Sequence, residues 1–348
     1  MNRVVPLLLT LVPLGFLLGL TQSAPAAPPA KVPPPTLWPP VSLSPERPPS
    51  LIDAASRGDI PAVRSLLAQG QSVDARDDDG NTPLMAALNN GVKPMSQTPH
   101  WGLSDTAYVG MVRFLLAHGA NVNARNHVGM TPLMVNLCNG HADVVPLLIA
   151  RGAEVNTSNG VGDTPLMYAI ARLPLILLLL KHGASPNALN TKGYTALRLA
   201  AEQADPAVVR LLLVHGARDN GSAATDAAFV GRTDIVQVLL QNVKNKAERR
   251  RRATLALHTA VNQGNAEATK PVIKYLVEHE ADLEVKGNWG WTPFMAAVYD
   301  GQLDMVDYFL DHGANINATD DQGHTALWRA REWLIGPPKS TYSEHEKG

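Results

Sequence analysis

DDDGNTPLMAALNNG, residues 77–91, and VRFLLAHGANVNARN, residues 112–126, decide how this chain folds. In the first, the Thr82 hydroxyl can cap a helix, and Pro83 lacks the amide hydrogen that would go unpaired at a helix start. Ala86 and Ala87 keep one face small enough for a neighbour to approach closely, and Gly91 suits a left-handed helix end. In the second, Phe114, Leu115 and Leu116 supply bulk for burial before His118-Gly119-Ala120 stops the helix. The predicted unit is a short helix, a turn, a second helix and an extended return. Neither helix of such a unit can bury its apolar face alone, so the unit must stack.

The same signals recur. Equivalents of Thr82 fall at positions 49, 82, 131, 164, 195, 222, 255, 292 and 325, with spacings of 33, 49, 33, 31, 27, 33, 37 and 33 residues. Thr131-Pro132, Thr164-Pro165 and Thr292-Pro293 repeat the cap, and Val145-Leu147-Leu148, Leu211-Leu212-Leu213 and Tyr308-Phe309-Leu310 repeat the burial cluster. A 33-residue period carrying Thr-Pro-Leu and His-Gly-Ala closely resembles the ankyrin repeat, over residues 49–336. The resemblance implies an all-α repeat solenoid of stacked helix-turn-helix units with β-hairpin fingers, about nine full or partial repeats over residues 51–336. The chain departs from the family after Thr-Pro-Leu, where a His is common. Met85, Met134, Met167 and Met295 stand there instead, with Arg198 and Thr225 elsewhere and His258 alone keeping the His. A methionine row predicts adaptable packing in place of a polar ladder.

Thirteen of the 27 prolines lie in the first 50 residues, so the N-terminus is a separate region. Arg3, the apolar run from Val4 to Leu20 and the small-residue site Ala24-Pro25-Ala26 predict a signal peptide over residues 1–26. A proline-rich extended linker at 27–50 follows, and residues 337–348 form a C-terminal tail. The mature protein is therefore expected to be periplasmic or secreted, and it meets a membrane only if the signal stays uncleaved. Thirty basic against 31 acidic residues give a net charge of −1, which argues against a nucleic-acid binder. One cysteine, Cys138, excludes an internal disulfide framework and leaves a thiol that could pair only with another chain.

No catalytic or cofactor motif is present, and an enzyme is not expected. The histidines His118, His182, His215 and His312 precede the glycine that ends an outer helix, with His279 in the matching place. There they suit a helix dipole and stand about a repeat apart, which argues against a shared metal. Binding is the remaining function. Ankyrin resemblance implies a protein partner held by fingertips and the concave face, with no small-molecule substrate. Most fingertips are polar, whereas GNWGW, residues 287–291, brings Trp289 and Trp291 to one turn, with Tyr299 on the helix that follows. Large aromatics of this kind dominate interface energetics. Tyr194 and His324, each just before the helix-capping Thr, are further candidates. An insertion at residues 92–108, expected between the two helices of one repeat, adds His100 and Trp101. The run KNKAERRRR, residues 244–252, contributes Arg249 and Arg250 at the junction of the sixth and seventh repeats, a solvated segment or a dock for an acidic protein patch. Trp328 and Trp333 are expected to shield the end of the core.

The expectation is a non-enzymatic, monomeric binding module of a bacterial envelope. It would protect an envelope enzyme or neutralise a periplasmic toxin. A secreted host-directed effector and a scaffold tethered by an uncleaved signal are the alternatives.

Overall fold

The computed structural model describes residues 50–89, 105–139, 142–261, 266–279 and 281–335. The expected signal peptide, most of the proline-rich linker, and His100 and Trp101 of the insertion lie outside the described residues, as does the side chain of Trp333.

Helices come in pairs along the chain. These are α1 (Leu51–Ser56) with α2 (Ile60–Ala68), α3 (Pro83–Asn89) with α4 (Asp105–Ala117), α5 (Pro132–Asn139) with α6 (Val145–Ala150), and α7 (Pro165–Tyr168) with α8 (Leu173–Lys181). The series continues with α9 (Ala196–Gln203) and α10 (Pro206–Val214), α11 (Ser222–Phe229) and α12 (Thr233–Gln241), and α13 (Lys246–Val261) and α14 (Ala266–Glu278). It ends with α15 (Pro293–Tyr299) and α16 (Leu303–Asp311), then α17 (Ala326–Ile335). The first members of the pairs pack on one another in sequence order, α1 on α3 and so on to α17, and the second members α8, α10, α12 and α14 form a parallel row. The result is an all-α repeat solenoid. Its core is one continuous cluster running from Leu51 to Ala326.

The threonine caps explain where the inner helices start. Thr82, Thr131, Thr195, Thr292 and Thr325 each accept a hydrogen bond through Oγ1 from the amide three residues on, at 3.2–3.4 Å. Met85, Met134, Met167 and Met295 are buried, so the methionine row is core packing between repeats. The α4 helix opens at Asp105, so the last residues of the expected 92–108 insertion are helical. Tyr108 there is buried and donates its hydroxyl to Asn136 Oδ1 at 2.6 Å.

The fingers between repeats differ from the expected β-hairpins. Each closes with a backbone bond from residue i to the carbonyl of i+4, as in Asp77 to Asn81, Asn126 to Met130, Asn159 to Asp163, Asn190 to Tyr194, Gly287 to Trp291 and Asp320 to His324, all at 2.8–3.1 Å. One such bond makes a turn and is too little for a ladder. Among the described residues, the sole isolated bridge joins Thr319 and Thr325.

Neighbouring fingertips are zipped by backbone bonds. His127 N donates to Asp79 O, Gly160 N to Val128 O and Thr191 N to Val161 O, at 2.9–3.0 Å, and Asp321 N donates to Trp289 O at 3.4 Å. This joins the fingers of repeats two to five, and separately those of eight and nine. Between them the row is interrupted. The sixth repeat keeps the stem contact, Arg218 N to Asn187 Oδ1 at 2.8 Å, but turns into α11 within three residues, with Asp219 Oδ1 accepting from Gly221 N and Ala223 N. In the seventh repeat the finger is replaced by helix: α13 runs 16 residues from Lys246, capped by Asn245 Oδ1 on Glu248 N at 3.0 Å. The glycines report the same break. A Cβ on Gly162 would meet Thr191 N at 2.8 Å, whereas around Gly193 there is nothing within 4 Å.

Candidate functional site

The GNWGW finger is clamped from both sides. A Cβ on Gly287 would collide with the His258 ring of the seventh repeat, and one on Gly290 with Asp321 of the ninth. Glycine is therefore required at both positions by close approach, and at Gly290 also by its φ of +73°. Burial pushes the His258 imidazole below its ordinary range, and its ring lies under Gly287.

Trp289 sits between these glycines. It has φ +64°, and it is the only non-glycine with positive φ among the described residues. A left-handed conformation costs a residue bearing a Cβ about 1–2 kcal/mol. The backbone turn thrusts the indole outward, and Trp289 is 68% exposed. Behind it the rings form a row. Trp291 lies 5.6 Å from Trp289 and 4.8 Å from Tyr299, both tilted by nearly 60°, and Tyr299 is 42% exposed. Trp291 itself packs against the core, and its Nε1, buried, has no acceptor among the described residues. Of the three predicted aromatics, Trp289 and Tyr299 offer surface, and Trp291 supports them from below.

Arg329 continues the row. Its guanidinium lies 5.8 Å from the Trp291 ring and 5.2 Å from Trp328, while Nε and Nη2 hold the Asp320 carboxylate at 2.6–2.8 Å. Asp320 is only 3% exposed. Burial alone would raise its pKa, but the amides of His324 and Gln322 and the Arg329 guanidinium together hold it below the usual carboxylate range.

The two positions before the capping Thr are already engaged within their own repeats. The Arg198 guanidinium lies 4.2 Å over the Tyr194 ring and is tied to Asp226 at 2.6 Å. His324 is stacked on Trp328 at 3.5 Å and 7°. Both are half-buried. Trp328 thus lies on the finger side of its helix, while Leu327, whose equivalents Leu84, Leu133, Leu166, Leu197 and Leu257 are all buried, is 79% exposed at the end of the stack.

Arg249 and Arg250 stand on the first turns of α13. Glu248 is held down to about 2 by Arg251 and Arg252, and Arg252 also reaches Asp219 at 3.3 Å. Arg250 is exposed, and it lines an open groove of about 670 Å³ with Lys246, Ala247 and Ala281. Sequence reasoning saw the basic run but missed its helix. The signal was there in Asn245 followed by Glu248, the spacing of a helix-start cap.

The histidines at the outer-helix ends pack locally. Nδ1 of His118, His215, His279 and His312 lies 2.7–2.9 Å from the carbonyl four residues earlier, and three of the rings lie against an aromatic at that same spacing, with centroids 4.0–4.2 Å apart. Among the described residues, no three or more His, Cys, Asp or Glu side chains gather around a metal position. Burial pushes the Cys138 thiol up to about 12, which disfavours the thiolate at neutral pH. No helix among the described residues is long and apolar enough to cross a membrane.

The profile described as Ankyrin repeats (3 copies) matches residues 103–190, 172–250 and 224–320, and that described as Ankyrin repeats (many copies) matches 51–97. The chain belongs to the ankyrin-repeat family. Its ankyrin stack is similar to B-cell lymphoma 3 protein homolog of Mus musculus, 36% identical over 163 residues, which cover 46% of this chain and 30% of the relative. It is similar also to Protein phosphatase 1 regulatory subunit 27 of Homo sapiens, 41% identical over 68 residues covering 20% of this chain and 42% of that protein. Transient receptor potential cation channel subfamily A member 1 of Homo sapiens is 26% identical over 153 residues, 41% of this chain and 14% of the channel. The matched ankyrin segment thus spans less than half the length of each relative.

Proposed function

We propose that this protein is a non-enzymatic binding module of a bacterial envelope, exported through residues 1–26 and holding one protein partner by its eighth finger. An ankyrin stack is a protein-interaction module. The finer reading rests on one observation: Trp289 is held in a left-handed conformation with its indole in solvent, beside exposed Tyr299. Strain and exposure both cost free energy in the unbound protein, and a partner that covers the ring recovers the exposure part. Export is supported by Arg3, the apolar run to Leu20 and Ala24-Pro25-Ala26. A rigid surface that covers an envelope enzyme, or one that blocks a periplasm-acting toxin, fits this arrangement. That one relative is by name a phosphatase regulatory subunit supports an enzyme as the kind of partner.

The test is affinity capture of the C-terminally tagged full chain from envelope extract, beside Trp289→Ala, with mass spectrometry of both the captured protein and the mature N-terminus. One partner retained by the wild type and lost by the variant, on a chain cleaved near Ala26, is the expected result. Equal capture by both proteins removes the fingertip from the account. A full-length membrane-bound chain replaces the exported module with a tethered scaffold, and recovery from the medium with no envelope partner replaces it with a secreted effector.

A further inference from the structure

The break in the finger row coincides with the densest positive charge of the molecule. Residues 244–252 hold six cations and one carboxylate in a chain whose net charge is −1. Arg251 and Arg252 are spent on Glu248 and Asp219, whereas Lys244 and Arg250 are exposed. The charge continues across the break. Exposed Arg218 stands on the truncated sixth finger and exposed Lys192 on the fifth fingertip, whereas on the eighth finger Lys286 is outnumbered by Asp282 and exposed Glu284, so the line of cations runs from the fifth repeat to the seventh. Arg250 and Lys246 share their groove with Ala281, the first residue of the eighth finger, so they lie at the base of the row.

We infer that this gap is a second docking site, which takes an acidic, extended segment of a partner protein. Cations in the gap are spread over successive repeats and do not converge on one point. Packed helices stand about 10 Å apart, so three repeats span about 20 Å. That is the reach of about six extended residues, at about 3.3 Å each. A line of spaced cations matches carboxylates spaced along a chain. The site is independent of the Trp289 fingertip and stands or falls separately from it.

Fluorescence anisotropy of a labelled octaglutamate peptide against the full chain tests this, with octaglutamine and phosphatidylglycerol vesicles in parallel. Octaglutamate should bind, weaken as salt is raised, and bind about tenfold more weakly to Lys246→Glu/Arg250→Glu. Arg250→Ala, a milder change on an exposed side chain, should weaken it in the same direction. Circular dichroism confirms that each variant is folded. Trp289→Ala and the distant surface reversal Arg113→Glu should leave octaglutamate binding unchanged. Octaglutamate held no tighter than octaglutamine overturns the proposal. So does equal loss in Arg113→Glu, and so does vesicle binding with the peptide ignored.

Discussion

The fourth and fifth fingers are built alike, each with a left-handed turn glycine and one closing bond, but their surroundings differ. The fourth is pinned: Val161 O accepts from Thr191 N at 3.0 Å, and the space beside Gly162 is filled by the next finger's backbone. Beyond the fifth there is no next fingertip, and Gly193 faces open space. The turn itself is therefore locally encoded, and the continuity of the row depends on whether the next repeat spends its residues on a finger or on a helix. The chain uses the same freedom twice. In the seventh repeat it replaces the finger with basic helix, and in the eighth it builds a finger whose tip is a strained tryptophan.

The largest contrast should come from the stack itself. Leu133 and Leu327 hold the same repeat position, buried in one case and exposed in the other. Leu133→Ala should cost about 3 kcal/mol in urea unfolding, and Leu327→Ala under about 0.5 kcal/mol. A similar cost for both would mean that the end of the stack is covered as its interior is.

Next comes the clamp on the ninth finger. Asp320→Asn removes a buried carboxylate that holds Arg329 and two amides, and should cost about 2 kcal/mol at neutral pH. The sign of its pH dependence follows from the depressed pKa. The carboxylate's stabilisation is complete above its ordinary 3.8 and is lost as pH falls below that value, so wild type and variant should converge in acid. A difference that persists undiminished in acid would show that the charge is not what matters.

The smallest effect is at the aromatic fingertip. Trp289→Gly relieves the left-handed strain that Trp289→Ala retains, so the glycine variant should be the more stable of the two by roughly 1 kcal/mol in thermal unfolding. Both should lose the partner alike. Equal stability of the two variants would place the strain elsewhere.

The stack was legible because its signals are local. Thr82, Pro83, the small Ala86-Ala87 pair and the terminal glycine each dictate backbone conformation within a few residues, and the period multiplies them. The methionine row was correctly placed as packing. The unequal spacings were visible too: the 27 residues between positions 195 and 222 are six short of the period, the length of a fingertip. What this did to the row was not legible, because losing a finger is a fact about neighbours. Trp289 marks the opposite limit. Two tryptophans around a glycine announced an aromatic turn, but the left-handed backbone of Trp289 did not show in the sequence, and His258 and Asp321, which close on Gly287 and Gly290 on either side of it, are remote in sequence. Tyr194 and His324 stand out in the sequence by position, and the structure adds that each is half-buried against the side chain four residues on.

The most direct test of the interrupted row is the stability of Gly162→Ala against Gly193→Ala by urea unfolding of the full chain. Both variants incur the left-handed alanine cost of about 1–2 kcal/mol. Only Gly162→Ala also drives a Cβ into the backbone of the next finger, so it should be less stable than Gly193→Ala by about 2 kcal/mol. Equal losses would contradict the account, since they would mean that the fifth finger is as closely packed against a neighbour as the fourth.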